Sequence, residues 1–144
     1  MELKLEVVVL PVSDVDRALA FYSRMGWRLD VDLAPIDKFR VVQMTPPGSY
    51  CSVSFGTGVT PAAPGSLQGL HLVTPDVVDA RSDLAERGVD VSEVFHGPGS
   101  AYRREARVQG PDPNRTSYQS YAAFEDPDGN GWILQEITTR LPGR

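Results

Sequence analysis

A helical pattern ending in glycine occurs twice, sixty-two positions apart, and constrains this chain more than any other feature of its sequence. Asp14 aligns with Asp76, Val15 with Val77, Ala18 with Ala80 and Gly26 with Gly88. Each copy opens on an Asp or Ser suited to cap the backbone N–H groups that the first turn leaves without partners. Apolar side chains then recur at helical spacing: Val15, Ala18, Leu19 and Tyr22 in the first copy, Val77, Ala80 and Leu84 in the second. Gly26 and Gly88 supply the positive φ that ends a helix cheaply. A repeat of this kind decides the architecture before any motif does.

The flanks repeat as well. Extended runs at 5–12 and 69–74 precede the helices, and strand-like stretches at 27–33 and 89–96 follow them. Further on, Thr-Pro-Pro-Gly-Ser from Thr45 and Asp-Pro-Asp-Gly-Asn from Asp126 read as matching turns, because Pro sets φ and Gly or Asn accepts positive φ. They separate strands at 39–44 and 51–55 in one copy, and at 119–124 and 132–138 in the other. Here the offset has grown to 81, so the second copy holds about nineteen extra residues, and they fall at 97–117. That Gly-, Pro- and Arg-rich stretch has neither a strand nor a helix period and reads as a long loop. The prediction is an α+β chain of two tandem βαβββ modules, residues 1–56 and 67–144, joined by a linker at 57–66. A module of about sixty residues buries too little surface to be comfortable alone, so the two are expected to form one structural domain.

Composition narrows the function. A net charge of −5 disfavours nucleic acid. Arg103, Arg104, Arg107 and Arg115 do cluster, but Glu105 and Asp112 dilute them and no aromatic platform is interleaved. The N-terminal apolar run is too short for a membrane span and lacks a cleavage-like site. The single cysteine, Cys51, excludes an intrachain disulfide. A cytoplasmic protein without nucleic-acid or membrane partners is expected.

Three segments together carry a family resemblance: 10–22 (LPVSDVDRALAFY), Gly26-Trp27, and 124–136 (FEDPDGNGWILQE). With them the chain resembles the vicinal oxygen chelate superfamily, the group of glyoxalase I, bleomycin-resistance proteins and extradiol dioxygenases, over residues 3–138. The resemblance implies paired modules whose curved sheets form a cupped, barrel-like mixed sheet around a cavity, commonly in a homodimer. It also implies positions for a divalent metal, which fall here at Val7, at Ser52 or Ser54, at Gly69 and at Ile133. Serine is a weak ligand and the others are none, whereas a catalytic site needs about three good ones. Sliding the register by one residue would bring Glu6 and Glu136 inward but turn Val7, Val9 and Ile133 outward, a poor exchange for a core. No metal and no cofactor is expected.

The remaining candidates lie on the cavity side of the strands, as His71 and Gln135 do, or near the long loop, as His96, Tyr118 and Tyr121 do. His71 and His96 are the candidate catalytic groups, because imidazole exchanges protons near neutral pH. Against this, each also reads as a hydrogen-bonded structural or loop histidine. Gln43, Ser54, Tyr118, Tyr121 and Gln135 are the candidate ligand-binding residues; Gln135 offers a donor and an acceptor to a carbonyl or amide. Tyr50, Trp27 and Trp132 read more readily as strand or core aromatics. Glu136 reads as facing the helix side, and Cys51 as an inert thiol lacking a basic neighbour. The function expected is the binding or sequestration of a planar or polar small molecule, such as a metabolite or antibiotic. The alternatives are a cofactor-free lyase or isomerase using His with Gln or Tyr, and a metal-dependent glyoxalase or dioxygenase.

Overall fold

The computed structural model describes all residues, Met1–Arg144, and they divide into two compact units. The first comprises Met1–Leu67 with Asp126–Asn130, and the second Gln68–Glu125 with Gly131–Arg144.

In the first unit, β1 (Val7–Val9) leads to α1 (Val15–Arg24), β2 (Arg28–Ile36), β3 (Phe39–Thr45) and β4 (Ser52–Thr57). The sheet order is β1-β4-β3-β2, with β1 parallel to β4 and the other pairs antiparallel. Helix α1 starts where expected: the Asp14 carboxylate accepts from the Arg17 amide at 3.0 Å, and Gly26 follows its end at φ 86°. Ala18, Phe21 and Tyr22 of α1 are buried, as are Val42 and Met44 of β3 and Val53 and Phe55 of β4. The Tyr22 ring lies 5.9 Å from Phe55 and stacks on Trp27 at 4.7 Å. Trp27 is therefore core. The turn at Asp126 belongs to this unit through side-chain bonds. The Tyr22 hydroxyl donates to Asp126 at 2.9 Å, and Ser13 donates its amide and hydroxyl to Asp128 at 3.0 and 2.5 Å. Asn130, fully buried, donates to the Pro11 carbonyl and accepts from the Leu67 amide.

The second unit runs β5 (Leu70–Thr74), α2 (Val77–Glu86), β6 (Phe95–His96), a single 3₁₀ turn (Arg104–Ala106), β7 (Val108–Gln109), β8 (Ser120–Glu125) and β9 (Gly131–Glu136). Its order is β5-β9-β8-β6-β7. Without β7 this is the β1-β4-β3-β2 order again, so the repeat read from sequence is a repeat of topology. Asp76 caps α2 by accepting from the amides of Val78 and Asp79 at 3.0 and 3.1 Å. Val77, Leu84, Ala122, Phe124, Trp132 and Leu134 form its core, with Phe124 and Trp132 stacked nearly parallel.

Two expectations need correction. The extra residues at 97–117 are not wholly without regular structure. They contain the 3₁₀ turn and β7, which pairs with β6 to give the second sheet its fifth strand. The strand expected over 89–96 is broken, with one bridge from Val91 to Phe124 and pairing resumed only at Phe95. Ser92 lies at the break: its hydroxyl takes the Ala123 amide at 2.9 Å, and Arg81 takes its carbonyl at 3.1 Å. Side chains there replace ladder bonds, which a reading of periodicity cannot anticipate.

Candidate functional site

Strand alternation sorts the second sheet into two faces. Leu134 and Ala122 share the face covered by α2, which packs on β8 and β9. The opposite face carries a row that crosses four strands: Gln135 on β9 pairs with Tyr121 on β8, Tyr121 with Phe95 on β6, and Phe95 with Gln109 on β7. His71 lies on the same face, paired with Ile133. A surface built only to be buried would be apolar here. Instead His71, Tyr121 and Gln135 are only partly buried.

The local geometry sets what these groups can do. His71 Nδ1 lies 2.8 Å from the Gly69 carbonyl. A carbonyl only accepts, so Nδ1 carries the proton and Nε2 of the neutral ring is left as an acceptor. The His71 ring also lies 5.8 Å from that of Tyr102. Gln135 donates its amide to the Tyr118 carbonyl at 3.1 Å, which fixes its orientation. Burial pushes the Tyr121 hydroxyl above its ordinary range, with a hydrogen bond from Gln135 opposing in part. Tyr121 is thus a neutral donor and acceptor throughout the physiological range.

The structure does not gather every candidate. His96 pairs with Ser120 on the α2-side face, and its Nδ1 donates to the Gly110 carbonyl at 2.7 Å. It therefore points away from His71. Tyr118 joins the group through its backbone; its φ is +75°, and its hydroxyl accepts from the Leu141 amide near the C-terminus. In the first unit, Gln43 and Ser54 pair directly, in a row with Val9 and Val31 on the face opposite the α1-side residues Val53 and Phe55. Beside them the Thr45 hydroxyl donates to Asp30 and meets the Ser52 hydroxyl at 2.7 Å. Hydrogen bonds from Arg28 and then Thr45 hold the Asp30 carboxyl below its ordinary range. Sequence reasoning missed that cluster, because Asp30 and Thr45 meet only through pairing of separate strands.

Glu136 is 1% exposed on the helix side of β9, where it accepts the Val77 amide at 2.9 Å and a two-pronged bond from Arg115. The Arg115 hydrogen bonds hold its carboxyl below the ordinary value, against the effect of burial. Burial pushes the Cys51 thiol up, with the Glu6 charge adding to it. That is the direction of an unreactive cysteine. Tyr50 is almost fully exposed and Trp132 is core.

The donor set does not fit the family's metal. On the first sheet, Val7 and Val9 pair with Ser52 and Ser54; on the second, Ile133 pairs with His71, while Gly69 precedes β5 in the loop. The first set supplies no imidazole or carboxylate and the second only the single imidazole of His71, and no group of three or more His, Cys, Asp or Glu side chains is placed to hold an ion.

The long insertion contributes a further group. The Arg107 guanidinium carbon sits 4.1 Å above the centre of the Phe95 ring, and Phe95 in turn stacks against Tyr121 at 5.7 Å. The sequence signal for it was only one arginine among four. A two-residue strand has no period that would have assigned its face.

Comparison with known proteins agrees with this architecture. A family model described as the Glyoxalase/Bleomycin resistance protein/Dioxygenase superfamily matches residues 4–134. The chain is similar to the crystal structure of TnmS3, an antibiotic binding protein from Streptomyces sp. CB03234. Identity is 31%, the TM-score is 0.70, and 94% of this chain and 97% of that one are covered. A glyoxalase/bleomycin resistance protein from the same organism is also 31% identical, with a TM-score of 0.68 over 92% and 100% of the two chains. A superfamily member from Sphaerobacter thermophilus DSM 20745 is 27% identical, with a TM-score of 0.69 over 94% and 98%. No curated protein matches significantly.

Proposed function

Because the chain belongs to the Glyoxalase/Bleomycin resistance protein/Dioxygenase superfamily, we infer that it binds and sequesters a planar, polar small molecule and does so without the superfamily's metal. The observation that carries this reading is the face of the five-stranded sheet turned away from α2. There Tyr121 and Gln135 sit side by side and His71 stands on the neighbouring strand, all partly buried. Aromatic area with a few fixed polar groups is what a small-molecule site needs. Gln43 and Ser54 offer a similar polar pair on the first sheet. That a relative of 31% identity is an antibiotic binding protein favours a ligand of that kind. The test is a thermal-shift screen of metabolites and antibiotics, since a ligand that binds only the folded state raises apparent stability by mass action. A full screen without a single shift would overturn the reading.

His71 favours one second reading, a cofactor-free lyase or isomerase. With Nδ1–H committed to the Gly69 carbonyl, Nε2 is oriented as a proton acceptor, and Tyr121 or Gln135 would hold a developing oxyanion. A homodimer in the cytoplasm completes the proposal. Val7 and Val9 of β1 and Leu29, Leu33 and Ile36 of β2 are exposed apolar side chains that a second copy would cover, and one unpaired cysteine suits a reducing compartment. Sedimentation tests the dimer.

A further inference from the structure

Of the four arginines in this loop, Arg104 and Arg107 have no ion pair, and of those two only Arg107 is partly buried. Arg103 pairs with Glu105 at 3.0 Å, and Arg115 pairs with Glu136 and Asp76. Arg107 has no carboxylate within ion-pair distance, although acidic residues outnumber Lys and Arg by 19 to 14 in the chain. The only hydrogen bond of its side chain is a long one, 3.5 Å, from Nε to the Ser100 carbonyl. That same Ser100 is fully buried, and its hydroxyl lacks any partner. The guanidinium carbon sits over the Phe95 ring, and the side chain is partly buried. Burial works against its charge, and the Arg104 charge adds to that effect. An arginine kept partly desolvated and without an anion is costly unless an anion arrives.

Its position defines what would arrive. Arg107 lies two residues before Gln109, the β7 member of the row that runs through Phe95 and Tyr121 to Gln135. The row thus has a cation at one end, a tyrosine hydroxyl and an amide at the other, and stacked rings between. The guanidinium lies over Phe95 of β6 and adjacent strands are about 4.8 Å apart, so the two spacings from β6 to β9 span roughly 10 Å. We propose that the ligand of this face is an elongated aromatic carboxylate, its acid group paired with Arg107 and its ring system lying along Tyr121 towards Gln135. This deepens the binding reading above and rests on it. Guanidinium and carboxylate match as a planar fork, which a neutral amide of the same shape cannot reproduce.

The test uses fused aromatic carboxylic acids of one, two and three rings, each beside its carboxamide, titrated calorimetrically into the full chain and into Arg107→Met and Arg107→Lys. In the wild type at least one acid is expected to bind tenfold or more tighter than its amide, with the preference shrinking as salt rises. Arg107→Met should bring acid and amide within twofold of each other. Arg107→Lys should keep part of the preference. Equal binding of acid and amide to the wild type, or a preference that survives in Arg107→Met, overturns the Arg107 assignment and leaves the binding reading standing. If no acid and no amide binds at all, the aromatic-carboxylate proposal falls, and the binding reading is then decided by the thermal-shift screen. Melting curves of the variants confirm that each is folded before titration.

Discussion

The guanidinium of Arg115 closes on the carboxylate of Glu136, with Nε 3.0 Å from one oxygen and Nη2 2.5 Å from the other. The pair joins the end of the long insertion to β9 and, through the bond from Glu136 to the Val77 amide, to the start of α2. Glu136 is nearly inaccessible while Arg115 remains partly exposed.

Removing Arg115 would leave a buried carboxylate with one backbone donor. Arg115→Met is expected to lose roughly 2 kcal/mol, read from urea unfolding. The pH dependence has a definite sign. Because the folded state holds the Glu136 carboxyl below its ordinary value, the stabilisation is complete above the unfolded value and is lost as pH falls through the folded one. The gap in stability between wild type and Glu136→Gln should therefore be constant above about pH 5 and close as pH drops below about 4. A gap that widens in acid would contradict the pairing.

Why so much of the fold could be read in advance, and this pair could not, follows from the range of the signals. Caps at Asp14 and Asp76 and the glycine at the end of α1 act within a few residues, so the sequence displays them directly. The twin topology follows from that local punctuation occurring twice. Strands β6 and β7 are two residues each, too short for alternation to appear, and Ser92 interrupts the segment before them. The candidate site was legible only in part for the same reason. Tyr121 and Gln135 were named from strands long enough to have faces, and they pair. His96, at the end of a two-residue strand, was placed beside the site and points the other way. Arg107 acquires meaning only from Phe95, twelve positions earlier in the chain and met through tertiary folding.

The donor set leads to an expectation about metal. Val7, Ser52, Ser54, Gly69 and Ile133 cannot supply three good ligands between them. Elemental analysis of purified protein should find less than about 0.1 equivalent of Zn, Fe, Mn or Ni, and a chelator should leave the melting temperature unchanged. One equivalent of tightly held metal would overturn the metal-free reading.

Asn130 is the buried member of the turn that belongs to the first unit. Its amide donates to Pro11 and Asp126, and its carbonyl oxygen accepts from Leu67. Asn130→Ala would strand those groups where water does not reach. About 2–3 kcal/mol should be lost, a fall in melting temperature of roughly 4–12 °C for a chain of this size. Asn130→Asp is expected to be no better, since it places a second carboxylate against Asp126. A neutral outcome for Asn130→Ala would mean that the turn is not held by this side chain.

His71 separates binding from catalysis. Its ring is oriented by the Gly69 carbonyl and leaves Nε2 unprotonated in the neutral form, which is the arrangement of a base but also of a simple acceptor for a ligand N–H or O–H. The two roles differ in magnitude. Loss of one hydrogen bond to a ligand costs about 0.5–1.5 kcal/mol, a factor of roughly 2 to 12 in affinity. Loss of a general base costs 10²–10⁴-fold in rate, and the conservative variant does not rescue it. Once a ligand is found, His71→Ala should weaken it by no more than about tenfold, and His71→Gln, which keeps an acceptor of similar reach, should recover most of the affinity. If the ligand is instead turned over, with a rate that collapses in both variants, the chain is an enzyme and sequestration is the wrong description.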